Sequence, residues 1–211
     1  MNLSREQLVH QGELTIFYIM GIASVLALAV FIERWIVYAR NGGKANKLIP
    51  ELKEKIRDRD FEGIRKMASD FPKSLYVRFA VFSSDYLNRG PSGLGELMDG
   101  KITGERIELE KRLPILATLG NNAPFIGLLG TVLGVIKAFA NLGTLGNSGA
   151  EVVMKNISTA LFATAVGLLI AIPVVMINNY FTKKLKVFGQ NLDILAKEFL
   201  ATAHDPGSPT K

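Results

Sequence analysis

Residues 113–136 read LPILATLGNNAPFIGLLGTVLGVI and residues 156–182 read NISTALFATAVGLLIAIPVVMINNYFT, runs of 24 and 27 positions without a charged side chain. At about 1.5 Å rise per residue these extend roughly 36 and 40 Å as helices, enough to cross a hydrocarbon layer of ~30 Å with modest tilt. Working outward, residues 14–32 form a third such run, LTIFYIMGIASVLALAVFI, roughly 28 Å long on the same arithmetic. No strand-like alternation of useful length occurs. The expected fold is an all-α integral membrane protein with three transmembrane helices, two of them long and extending into a helical region outside the bilayer. An ordinary soluble enzyme domain is excluded.

The charges supply an orientation. Of the 25 Lys and Arg, 16 lie between Arg40 and Arg112. The positive-inside bias then places a short segment, 1–13, in the periplasm and the first helix over 14–37. A cytoplasmic helical region follows over 38–112, and the second helix over 113–137. A short periplasmic connection, 138–155, leads to the third helix, 156–182. A cytoplasmic extension, 183–203, and a disordered tail, 204–211, complete the chain. Glu33-Arg34-Trp35 stands where a signal peptide would need small cleavage-site residues, so the first helix is retained. The 16 basic residues of 40–112 are interleaved with 12 acidic ones. That mixture marks a solvated helical surface, not a phosphate-tracking stripe, and argues against nucleic-acid binding.

Punctuation divides the polar region. Ser4-Arg5-Glu6-Gln7 fits a capping box that starts a helix before the first span. Asp60 fits an N-cap between two helical stripes. Asn88-Arg89-Gly90-Pro91-Ser92-Gly93 reads as a stop, after which a helix from near Leu94 is expected to run directly into the second span. Leu185, Phe188, Leu192, Leu195 and Phe199 keep helical spacing beyond the third.

Within the spans, small residues and hydroxyls carry the information. Gly127, Gly130 and Gly134 line the second; Ala160, Thr164, Gly167 and Ala171 step along the third by 4, 3 and 4. Lipid gives helices no hydrophobic reason to associate, so close backbone approach through small residues does that work. Packing accounts for these glycines and alanines. Thr131, Thr159 and Thr164 have two readings. Each can bond the carbonyl one turn back in its own helix, or together they can line a polar seam. Pro124 and Pro173 favour the seam, because each frees a carbonyl one turn earlier. The first span, with larger aliphatic and aromatic residues, reads as lipid-facing.

Neither the second nor the third span holds an Asp, Glu, His, Lys or Arg in its interior. Intramembrane acids and imidazoles are the residues that carry protons through a bilayer. If this chain conducts, the titrating group comes from another polypeptide, and the chain supplies the polar wall around it. With no cysteine and only His10 and His204, no metal site, catalytic residue or bound cofactor is expected. Ser83-Ser84-Asp85 lacks a nearby histidine, and Gly93-x-Gly95 is too short to cradle a phosphate.

Asn122-Ala123-Pro124-Phe125-Ile126-Gly127-Leu128-Leu129-Gly130-Thr131-Val132-Leu133-Gly134 resembles the second-span signature of the MotA/TolQ/ExbB proton channel family. Residues 157–168, ISTALFATAVGL, resemble its third-span signature, with Ala171-Ile172-Pro173 in register. Phe31-Ile32-Glu33-Arg34 resembles the end of its first span. The resemblance runs over essentially the whole chain and is nearest the three-span ExbB/TolQ branch. It implies a homopentamer in a bacterial inner membrane, enclosing two copies of a single-span ExbD- or TolR-like partner. The partner's transmembrane aspartate would carry H+, or Na+, past Thr131 and Thr164, and ion flow would turn one ring against the other. One departure stands out: ExbB and TolQ carry a glutamate where this chain has Thr159. A sodium-driven, gliding, secretion or flagellar-like motor stays open, as does a non-conducting membrane scaffold. A secondary transporter would call for inverted repeats and broken helices, and neither is seen.

Overall fold

The computed structural model describes residues 5–145 and 149–204. Ser4 of the capping box, residues 146–148 of the connection and tail residues 205–211 lie outside that range. Seven α-helices follow in order: α1 Arg5–Gly42, α2 Ala45–Arg57, α3 Phe61–Asp70, α4 Leu75–Asp85, α5 Gly90–Glu110, α6 Leu113–Leu145 and α7 Gly149–His204. A single 3-10 turn, Leu87–Arg89, precedes α5, and no strand occurs among the described residues. Three helices are long and apolar enough to cross a membrane. Helix runs further into the 138–155 connection than its composition suggests, since α6 ends at Leu145 and α7 begins at Gly149.

The contacts separate into two units, residues 1–32 with 112–180 and residues 33–111 with 181–211. The first holds the three spans. From α1, Ile16, Met20, Ala23, Ala27 and Val30 point inward, in steps of four, three, four and three that keep them on one helical stripe. Ile16 and Met20 pack with Ala163 of α7, flanked by Ile126 and Leu133 of α6. The opposite face, including Tyr18, Ile22, Val25 and Leu28, is exposed. The first span is therefore exposed on one side only. Its other side is core, because Ala163 and Gly130 leave room for Ile16 to approach.

The second unit is built on α4, whose Leu75, Tyr76, Val77, Phe79, Ala80 and Ser83 are all buried. Leu48, Leu52 and Ile56 of α2, Ile64 of α3, and Leu94 and Met98 of α5 fill the same core, as do Phe188, Leu192, Leu195 and Phe199 of α7. Tyr38 stacks on Phe181 and Phe188 with centroids 4.9 and 5.4 Å apart. Asp60 caps α3, accepting a hydrogen bond from the Gly63 amide at 2.8 Å. That bond and the Lys55 ammonium at 2.8 Å hold the Asp60 carboxyl below the ordinary carboxylate range, the lysine contributing most.

Two expected helix ends differ. The proline in 88–93 opens α5 instead of closing off the stretch: Gly90 (φ 77°) turns the chain and Pro91 sits in the first turn, where a missing N–H costs nothing. Nor does α5 run on into the second span. Pro114 would clash with the carbonyl four residues back, that of Glu110, and α5 stops at Glu110. Arg112 then takes a left-handed conformation (φ 67°) and α6 begins at Leu113. The orphaned end of α5 is capped by side chains from α1. Buried Arg34 donates to the carbonyls of Leu109 at 3.2 Å and Glu108 at 3.5 Å, and the Tyr38 hydroxyl donates to Leu109 at 3.2 Å. Glu33 pairs with the same guanidinium. These contacts give Glu33-Arg34 at the end of the first span a structural task.

Candidate functional site

Small residues bring α6 and α7 together along one antiparallel seam. A methyl carbon on Gly127 would lie 2.8 Å from the Ala163 carbonyl oxygen and 3.0 Å from Thr164 Cα. One on Gly167 would lie 2.7 Å from the Ala123 carbonyl oxygen and 3.1 Å from Gly127 Cα. These neighbours are backbone atoms that no side-chain rotation can move aside. Further along, Gly130 faces the Ala163 methyl, Gly134 the Ala160 methyl, and Gly120 faces Val175. Ala171 is buried on the same stripe of α7. Both Pro124 and Pro173 sit inside unbroken helices, the first half-buried and the second exposed.

The close approach decides where two hydroxyls point. Thr131 could bond the Gly127 carbonyl of its own helix, and Thr164 the Ala160 carbonyl of its own. The geometry crosses them. Thr131 Oγ1 lies 3.1 Å from the Ala160 oxygen of α7 and 3.4 Å from the Gly127 oxygen of α6. Thr164 Oγ1 lies 3.1 Å from the Gly127 oxygen of α6. The two hydroxyls also contact each other directly. The two shorter carbonyl bonds reach across the seam, and the longer one from Thr131 runs back along its own helix.

Proton counting gives this cluster two forms. A hydroxyl carries one proton and two lone pairs. The contact between hydroxyls uses one proton, which leaves the other for a carbonyl. Either Thr131 donates to Thr164 and Thr164 donates to Gly127, or Thr164 donates to Thr131 and Thr131 donates to Ala160 or, at the longer distance, to Gly127. A small rotation of both hydroxyls interconverts the two, and each form leaves lone pairs for an incoming donor. Both threonines are half-buried. The cluster can therefore solvate a proton donor or a small cation, but contains no group that titrates at ordinary pH.

Thr159 does not join it. Its side chain is exposed and its hydroxyl donates back to the Lys155 carbonyl at 3.1 Å, because its place on α7 faces away from the Thr131–Thr164 contact. Of the three threonines grouped on the sequence, the structure brings two together. It also adds a pair that the sequence left at the span ends: Glu13 of α1 and Lys137 of α6 form an ion pair at 2.5 Å, their side chains 11% and 24% exposed. The available signal was positional, since Glu13 directly precedes the first uncharged run and Lys137 directly follows the second.

Residues 77–194 match the sequence model of the MotA/TolQ/ExbB proton channel family. A Helicobacter pylori biopolymer transport protein named ExbB-like 2 is 39% identical over 99 residues, covering 47% of this chain and 66% of that protein. The Tol-Pal system protein TolQ of Pseudomonas aeruginosa is 38% identical over 112 residues, covering 53% and 48%. The biopolymer transport protein ExbB of Aquifex aeolicus is 44% identical over 79 residues, covering 37% and 53%. The chain spans about half to two thirds of the length of these curated relatives. The matched stretch contains both crossed threonines, whereas Phe31–Arg34 and Glu13 fall outside it.

Proposed function

The chain belongs to the MotA/TolQ/ExbB proton channel family, and from that premise we propose that it forms the ion-conducting ring of an inner-membrane motor. Five copies surround the spans of two copies of an ExbD- or TolR-like partner, whose transmembrane aspartate carries the coupling ion. The N-terminus is periplasmic and the C-terminus cytoplasmic, as the basic 38–112 region requires. Ion movement drives the partner against the ring, and the work serves a transport process of the biopolymer type.

The observation carrying this reading is the crossed Thr131–Thr164 pair. In a bilayer a hydroxyl can satisfy itself within its own helix, so two hydroxyls turned toward each other, with carbonyls at 3.1 Å on either side, form a polar station in an otherwise apolar wall. When the partner's carboxylic acid arrives there, its proton finds acceptor lone pairs. When it leaves ionised, the same hydroxyls rotate to donate to it. The station needs no charge of its own, which keeps it from trapping the partner.

Thr131→Val and Thr164→Val test this. Each keeps the shape and removes the hydroxyl. Pentamers should assemble at wild-type yield while ion flux and the work of the complex fall by at least tenfold. Wild-type flux from both variants would leave packing as the seam's sole role, as in a non-conducting scaffold. Exchanging Na+ for K+ at fixed pH identifies the ion, because an oxygen cluster also suits a hard cation. H+ is the favoured assignment, and flux that follows Na+ would replace it.

A further inference from the structure

The Glu13–Lys137 pair has no part in the mechanism above, yet its position is costly. Charges removed from water need partners, and α1 is already held to α6 and α7 by Ile16 and Met20. The two carboxylate oxygens differ in surroundings. Oε2 meets Lys137 Nζ, whereas Oε1 lies 3.4 Å from where a Gly134 methyl would stand, at the Gly134–Ala160 crossing. A crevice of about 10 Å³ opens at that point, walled by Glu13, Ile16, Phe17, Thr159 and Ala160 together with Gly130 and Ala163. That is room for about one water molecule. Glu13 and Thr159 are the polar side chains of its wall, and Gly130 and Ala163 are the chain neighbours of Thr131 and Thr164.

We propose that Glu13 is an ion-relay carboxylate that serves the hydroxyl station through this crevice. The proposal rests on the proton-conducting reading above. A hydronium ion at the crevice mouth transfers its proton to Oε1, forming one O–H bond as it becomes water. Lys137 holds the carboxylate in place between loadings. The acid then returns the proton to a water within the crevice, next to Gly130 and Ala163, and no other bond changes. The carboxylate that the spans lack in their interiors is thus supplied from the edge of α1.

The competing account is a strap that pins α1 to α6. Glu13→Gln alone would leave the half-buried Lys137 beside a neutral group, so the informative variant is the neutral double E13Q/K137Q. The complex with its single-span partner is reconstituted in sodium-free vesicles, and proton uptake is followed with a pH-sensitive dye under an imposed gradient. The double variant should assemble like wild type and lose at least tenfold in flux. Wild-type flux from it overturns the relay. If it fails to assemble, the reversed pair E13K/K137E keeps the strap while moving the acid to α6. That variant should assemble and lose flux, and full flux overturns the relay equally. Thr164→Val in the same vesicles separates the two levels: flux lost there but kept in the double variant defeats only the relay, whereas flux kept in Thr164→Val defeats the conducting reading itself.

Discussion

Gly127→Ala places one methyl group directly against the backbone of α7. The new carbon would stand 2.8 Å from the Ala163 oxygen, 3.0 Å from Thr164 Cα and 3.3 Å from Gly167 Cα. Carbon atoms pack best at about 3.5–4.0 Å, so the helices must part by about 0.5–0.8 Å. A gap of that size forfeits a quarter to a half of each contact's attraction; over about 30 atom pairs at 0.1–0.2 kcal/mol the loss is about 1–3 kcal/mol. The crossed hydroxyl bonds, now 3.1 Å, stretch past useful length and remove about 0.6 kcal/mol each. The better helix propensity of alanine returns at most about 1 kcal/mol. The net expectation is a destabilisation of about 1–3 kcal/mol, accompanied by loss of ion flux. Denaturant unfolding in detergent micelles, followed by circular dichroism, measures the first quantity, and the vesicle assay the second. Gly104→Ala is the control, because nothing lies within 4 Å of its added carbon and it should stabilise α5 by about 0.5–1 kcal/mol. If Gly127→Ala unfolds with wild type while Gly104→Ala is more stable, the close-approach reasoning is wrong.

Two further outcomes follow from the second unit. Arg34→Met should expose the end of α5, leaving the Glu108 and Leu109 carbonyls short of donors at a cost of about 1–3 kcal/mol. Hydrogen exchange in the last turn of α5 should accelerate selectively, and unchanged protection there would remove Arg34 as the cap. Glu198, outside the spans, accepts bonds from Arg57 at 2.8 and 3.0 Å and from Lys53 at 3.0 Å. Arg57 chiefly, and Lys53 with it, hold its carboxyl below the ordinary range. A carboxyl depressed on folding adds stability that is complete above its unfolded value, about 4.3, and is lost as pH falls through the folded value. Glu198→Gln should therefore melt earlier than wild type at neutral pH, with the gap closing in acid. A gap independent of pH would point to packing instead of charge.

Helix α3 illustrates what local chemistry makes readable, since Asp60 announces its N-terminus by residue type alone and the structure places the cap there. Pro114 carries a local signal too, yet the helix expected from near Leu94 was run straight through it; the proline breaks α5 from α6 for the reason any interior proline would. The inward stripe of α1 was harder to see. Ile16 and Met20 differ little in character from their exposed neighbours Ile19 and Ile22, and which face is buried depends on where α6 and α7 lie. The threonines show the same limit. Thr131, Thr159 and Thr164 have identical side chains on similar helices, yet two cross the seam and one bonds its own turn.

Sequence alone determined that three helices span a bilayer, that small residues line two of them, and that their interiors hold no acid. Each is a property of composition along a line, set by the cost of charge in lipid and by helical rise. Tertiary structure alone decided that Thr131 and Thr164 exchange carbonyls and that Glu13 meets Lys137 across 124 positions. Those contacts depend on the register of one helix against another, which is set by the summed fit of glycines, alanines and Ile16 along the seams and is expressed by no single residue.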